Sequence, residues 1–321
     1  MTRRPCTIDR RLRQNGIHTH IFRHIKWVGV GPPPNFVLVT SNAPRVRTLW
    51  LLAVTMVFFA ANSLLARAAL RTGAIDGGSF TAIRIGSGGM VLALLARQRR
   101  ESGGGSWKAA GALFAYAIAF SYAYLSLNAS TGALVLFAAV QMTMLGVGMV
   151  RGEHPRSTEW TGLAMAFGGL VYLVFPGLTA PSPAGVLLMA VAGTAWGFYS
   201  LAAKGAGSPI ASTAGNFARA VPMAAGALLV GWGIGGTHAS WSGVGLAATS
   251  GAVTSGLGYA LWYAALKDLR SSFAAIVQLM VPVLTAAAGV MLLGEQMTWR
   301  LTVASVAILG GVTLALVGGR K

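Results

Sequence analysis

Acidic residues are scarce in this chain: seven Asp and Glu among 321 residues, and 10% charged residues in all. A soluble domain has about a quarter of its residues charged. So few polar groups are too little to wet the surface of a soluble fold this size. Cysteine is nearly absent too. The single Cys6 excludes a disulfide within the chain and a cysteine-based metal cluster. No phosphate-binding glycine loop of the GxxxxGK[ST] type occurs, which removes an ATP-driven motor. The five histidines lie in the first 24 residues or in connections (His18, His20, His24, His154, His238) and form no ligand set, so no metal and no cofactor is expected.

What is abundant is apolar. Hydrophobic residues make up 55% of the chain, in runs long enough to cross a bilayer, which takes about 20 residues as a helix. The runs predict ten helices at 49–70, 79–96, 108–127, 132–150, 160–178, 184–203, 211–232, 243–264, 271–293 and 299–318. Between them stand turn-rich breaks such as "SGGGSW", "PGLTAPSP" and "KGAGSP". The fold expected is an all-α membrane protein.

The net charge of +18 has a location. With a cytoplasmic N-terminus, twenty of the twenty-five Lys and Arg fall on the cytoplasmic side. They sit in the tail, in Arg97–Lys108, in Arg151–Glu159, at Lys204, Lys267 and Arg270, and at the C-terminus. That is the positive-inside pattern. These cations orient the protein and face anionic lipid, and no nucleic-acid partner is expected. Residues 1–47 are basic and then proline-containing, with no apolar run to make a signal peptide. They read as a disordered cytoplasmic tail without chemistry. The alternative is a translation start nearer Val46.

The chain repeats itself. "SLLAR" (63–67) returns as "SLAAK" (200–204), "MVRGE" ending at Glu153 as "MLLGE" ending at Glu295, and Gly168-Gly169 as Gly310-Gly311. Two units of five helices result, 48–178 and 179–321. Five is odd, so the second unit enters the membrane from the opposite side. Inverted repeats are the mark of secondary transporters, whose site lies near the midplane between the units.

Several features together resemble the EamA-type branch of the drug/metabolite transporter superfamily over roughly 48–319. They are the 5+5 arrangement, the second helix "FTAIRIGSGGMVLALL" with Arg84, the two Gly-Glu turns, and "VQLMVPVLTAAAGVMLLGE" with Pro282. Val140 stands where the family commonly has a proline in the fourth helix. The resemblance implies a non-enzymatic exporter of small metabolites across a bacterial inner membrane, often of amino acids or related compounds. Helices 1–4 and 6–9 would line a cavity while 5 and 10 pack outside. A multidrug or sugar-type carrier is the alternative within the class; a membrane-embedded enzyme or lipid scaffold is the alternative outside it. The expected partners are a small-molecule substrate and membrane lipid, with one monomer forming the whole path.

Polar side chains inside spans are costly and mark function or helix–helix hydrogen bonds. Asn62, Gln141 and Gln278 are candidates for polar contacts with substrate, and Tyr124, Trp196, Tyr199 and Trp262 for an aromatic wall. Snorkelling to the interface accounts for Arg84; Arg219 lies deeper and is the arginine expected to face the cavity. Gly86, Gly88, Gly89, Pro222 and Pro282 are candidates for hinges or kinks. No Asp or Glu lies deep in a span, which argues for passive or loosely coupled transport. Reporter fusions after Arg71, Pro176 and Gly236 should score as periplasmic, and those after Gly104, Gly207 and Lys321 as cytoplasmic. A cytoplasmic signal at Pro176 would abolish the inversion.

Overall fold

The computed structural model describes residues 46–150, 156–175, 177, 180–203, 208–266 and 277–318. The basic tail lies outside the described residues, as do Glu153 and Lys204 of the repeat. Seven helices come first: α1 (Val46–Arg71), α2 (Gly77–Gln98), α3 (Trp107–Ala123), α4 (Ala129–Val150), α5 (Ser157–Val174), α6 (Pro183–Ala203) and α7 (Pro209–Gly233). The eighth crossing is composite. α8 (Trp241–Thr249) runs through a π-helical stretch, Ser250–Leu257, into α9 (Gly258–Leu266). α10 (Met280–Leu293) and α11 (Trp299–Gly318) complete the described helices. α1, α2, α4, α6 and α11 are long and apolar enough to cross a membrane by their own sequence. α3, with 17 residues, and α10, with 14, are shorter.

Helix starts are written in side-chain oxygens. Asp76 caps α2 through the Ser79 amide, Ser106 caps α3, Ser208 caps α7 and Ser240 caps α8. Each satisfies an N–H that hydrocarbon would leave bare. Large apolar residues on the outer faces, such as Trp50, Met90, Leu187, Leu229 and Val306, are exposed and meet lipid.

The packing repeats as the sequence does. α2 lies on α7, and α5 on α11, each helix against its own counterpart. α3 lies on α6, as the eighth crossing lies on α1; α4 lies on α6, as α10 lies on α1. Exchanging the two five-helix units maps this set of contacts onto itself. The protein is therefore an all-α membrane fold of two inverted five-helix repeats. α5 and α11 pair at the periphery through glycines: a Cβ on Gly162 would stand 2.4 Å from the Gly311 carbonyl oxygen.

Both ends of the bundle are fastened between repeats. At one end the α1–α2 turn meets the α7–α8 turn. There the Asp76 carboxylate accepts from the amides of Ser79 and His238, both at 2.9 Å, and Ser240 donates to Ala74 O. Burial would raise the Asp76 carboxyl, but the hydrogen bonds from Ser79 and the His238 amide outweigh it and hold the group below its ordinary value. A depressed carboxylate contributes stability above its unfolded value and loses it as pH falls through the folded one. The fastening is thus intact at neutral pH and weakens only in strong acid. At the other end, called here the basic face, Asn216 Oδ1 accepts from the Ser106 amide at 2.8 Å, and Ser208 donates to Glu101.

The closest approach between α2 and the π-helical stretch is at Gly251, where a Cβ would stand 2.0 Å from Ser87 Oγ and 2.3 Å from the Arg84 carbonyl oxygen. Gly88 faces the same contact, and Gly89 packs on Phe217, whereas nothing lies within 4 Å of a Cβ on Gly86. Gly251→Ala should therefore cost about 1–3 kcal/mol, the usual penalty for overpacking, and lower the melting temperature in detergent. Gly86→Ala should leave it unchanged or slightly raised. Equal melting temperatures for the two variants would refute this contact.

Candidate functional site

A small cavity lies between the repeats. Its walls are Phe59, Asn62 and Ser63 of α1, Tyr116 of α3, Leu136 and Phe137 of α4, Trp196 of α6, Thr254 and Ser255 of the π-helical stretch, and Tyr259 of α9. Its free space is about 20 Å³ for the centre of a water molecule, room for little more than one water. An organic solute does not fit without movement of the walls.

The rings form a continuous chain. Tyr124 meets Phe120 at 4.7 Å, Phe120 meets Tyr116 at 5.4 Å, and Tyr116 meets Trp196 at 4.9 Å. From Trp196 the chain forks to Tyr199 at 5.3 Å and Tyr259 at 5.0 Å. Phe59 links Tyr259 to Trp262. These separations suit offset and edge-to-face ring pairs.

Within that shell sits a polar network. Asn62 Oδ1 accepts from Ser250 Oγ at 2.8 Å and Thr254 Oγ1 at 3.1 Å, and its Nδ2 donates to Tyr116 Oη at 3.4 Å. The π-helical stretch carries Ser250, Thr254 and Ser255, and such stretches recur at functional sites. Arg84 donates from Nη2 to Tyr116 Oη at 2.7 Å and from Nε to Ser255 Oγ at 3.2 Å. Its guanidinium lies 4.7 Å from the centre of the Phe120 ring and 5.0 Å from that of Tyr116. Arg84 is 2% exposed. It does not snorkel, contrary to the expectation from its depth, because α2 turns it toward α3 and the eighth crossing.

Of the candidates, Asn62 and Trp196 line this cavity. The other candidates stand elsewhere. Tyr199 and Trp262 are buried in the next layer, the Tyr199 hydroxyl facing Thr213, Asn216 and Tyr263. Gln141 is buried one turn beyond Phe137 on α4, its Nε2 without a partner among the described residues. Gln278 is buried just before α10. Arg219 faces away: its Nη1 donates to the carbonyls of Gly104 and Gly215 and binds the α2–α3 turn. Pro222 and Pro282 sit within α7 and α10, which run through them as helices. The rest of the lining, Phe59, Ser63, Tyr116, Leu136, Phe137, Thr254, Ser255 and Tyr259, was not among the candidates. The hydroxyl-rich run "TSGAVTSG" inside a span was the available signal.

Tyr124 caps the end of α3 beside a second arrangement. Gly294, at φ +63°, closes α10 in the left-handed conformation that glycine tolerates. The chain then turns Glu295 into the protein, where it is 5% exposed. Its carboxylate accepts from the amides of Ala129 and Ser130, at 2.6 and 3.3 Å, and from Ser130 Oγ at 3.1 Å. Arg67 stands 3.9 Å away and also donates to Tyr124 O and Asn128 Oδ1. Glu295 of the second repeat thus caps α4 of the first and closes the bundle opposite the basic face. Although outside the spans, it is a buried carboxylate. On the basic face a wider cavity of about 290 Å³ is lined by Arg47, Arg99, Glu101, Pro209 and Tyr263, among others. Tyr263 lies one helical turn beyond Tyr259 on the same face of α9.

An aromatic and polar cavity lies between the two repeats of this all-α membrane fold. The EamA-like transporter family matches residues 183–317, the second repeat. The uncharacterized protein PA1977 of Pseudomonas aeruginosa is 49% identical over 276 residues, 85% of this chain and 96% of that one. The chain belongs to the EamA-like transporter family. A crystal structure of a protein that is 20% identical shares the fold, with a TM-score of 0.59 over 87% of this chain and 100% of that one.

Removing the Glu295 carboxylate should loosen this closure. A hydrogen bond to a charged group contributes about 1.5–3 kcal/mol, so Glu295→Ala should lower the melting temperature in detergent. In the protein freed of Cys6, a cysteine at Ser63 should also react faster with a membrane-impermeant thiol reagent from that side. Unchanged labelling in a destabilised variant would mean that Glu295 holds the fold without closing the path.

Proposed function

We propose that this protein is a secondary transporter that exports small organic metabolites, amino acids or related compounds, across the bacterial inner membrane by alternating access. It is not an enzyme, it works as a monomer, and both termini lie in the cytoplasm. The observation that carries the reading is the small cavity walled by both repeats at once. A rocking movement of one inverted unit against the other would open such a site first to one side and then to the other. The fastening by Glu295 at one end and the wider cavity on the basic face fit a form closed to the periplasm. Aromatic walls with a few polar tips have the composition of an organic-ligand site. Gly88 and Gly89, at the contact of α2 with its counterpart α7 and the π-helical stretch, suit a sliding interface.

The deciding experiment is flux in proteoliposomes, using radiolabelled amino acids and their uncharged analogues. Trp196 lines the cavity, so Trp196→Ala should change selectivity or flux per folded molecule. Enlarging a cavity wall costs less than emptying a packed core, where losing a Trp costs about 3–5 kcal/mol. Leu314→Ala on the peripheral α11 should leave both unchanged. If Trp196→Ala lowers only expression, with flux per molecule and selectivity intact, the cavity is not the path.

A further inference from the structure

Arg84 is a charge without a counter-charge. Among the described residues the ion pair seen is Arg67–Glu295, and no carboxylate meets Arg84. Taking an unpaired guanidinium out of water is expensive. The hydroxyls of Tyr116, Ser255 and Tyr259 and two ring faces offset part of that cost, while Nη1 makes no hydrogen bond of good geometry among the described residues.

The direction of the hydrogen bonds shows where the uncompensated charge acts. Tyr116 Oη accepts from Arg84 Nη2 and from Asn62 Nδ2, and Ser255 Oγ accepts from Arg84 Nε. A hydroxyl that accepts from a cation points its own proton elsewhere. Tyr116 and Ser255 both line the cavity. The one amide oxygen in the wall, Asn62 Oδ1, is already taken by Ser250 and Thr254. The cavity thus offers O–H donors backed by a full positive charge, and none of its lining residues is acidic.

We propose that the site takes its solute by a carboxylate, with the Tyr116 and Ser255 hydroxyls as donors and Arg84 as the counter-charge behind them. The solute's body is uncharged or carries one ammonium group and lies against Phe59, Trp196 and Tyr259, whose faces also accept an ammonium group. Net charges of 0 and −1 are admitted, and a solute whose sole charge is an ammonium is excluded. Arg84 is the specificity-determining residue. The proposal rests on the transporter reading above and sharpens it.

The test is a matched panel: 3-phenylpropionate, 3-phenylpropionamide and 3-phenylpropylamine; hexanoate, hexanamide and hexylamine; phenylalanine and leucine. Binding is read as the ligand-induced rise in melting temperature of the full chain in detergent. The carboxylates and at least one of the amino acids should stabilise the protein, and the amides and amines should not. Arg84→Gln should weaken carboxylate binding tenfold or more, with Arg84→Lys recovering part of it. If Arg84→Gln does not fold, Tyr116→Phe and Ser255→Ala replace it, each expected to weaken carboxylate binding several-fold. Amides or amines that bind as tightly as carboxylates would overturn the proposal. So would carboxylate binding unaffected by these substitutions, or no response to any carboxylate. Flux of phenylalanine or leucine in proteoliposomes keeps the two readings apart. Flux combined with a failed panel leaves a transporter whose site is not carboxylate-specific. No organic flux at all overturns the transporter itself.

Discussion

A guanidinium about 10 Å into a membrane-spanning helix, at 1.5 Å per residue, is the constraint around which the interior is arranged. Hydrocarbon supplies neither water nor counter-ions, so every partner of Arg84 must come from the protein. Two ring faces and three hydroxyls are brought to it from α3, the π-helical stretch and α9. Those hydroxyls must then be oriented, and Asn62 on α1 orients Tyr116. Asn62 in turn needs donors for its own oxygen, which Ser250 and Thr254 provide. One buried charge thus ties α1, α2, α3 and the eighth crossing into one network that spans both repeats.

That network works only if the backbones come close, which explains the glycines. Gly251 lets the π-helical stretch touch α2 at Arg84 and Ser87. Gly289 has a related task farther out: a Cβ there would stand 2.8 Å from Glu295 Oε2, so its absence leaves space for the carboxylate that caps α4.

The ten crossings were legible because the bilayer demands runs of about 20 apolar residues, and the inversion because an odd number of helices in each repeat leaves one outcome. The site was legible in part. Tyr116, Phe120 and Tyr124 share a helical spacing, yet they lie at different depths, and α3 ends at Ala123. Tyr124 accordingly belongs to the closure beside Arg67 and not to the cavity. Spacing gives the face of a helix and says nothing of depth in the bundle. Arg84 was misread for a related reason, since its partners lie 32 and 171 positions away. Glu295 stands in a Gly-Glu turn outside the spans, yet the left-handed Gly294 folds it inward. The π-helical stretch left no mark in hydropathy, because its i→i+5 bonding changes geometry and not composition.

The closed cavity and the unpaired arginine explain each other. With free space for little more than one water, the unexpanded form of the site keeps surroundings in which a charge acts more strongly than in water. In that form Tyr116 and Trp196, in ring contact at 4.9 Å, occupy the space that a solute would need. A solute that parts them gains ring contact on its body and brings an anion toward Arg84. It thereby supplies the charge that the protein lacks. Binding then favours the expanded site in proportion to that differential interaction, and the buried charge makes the empty carrier the less satisfied state.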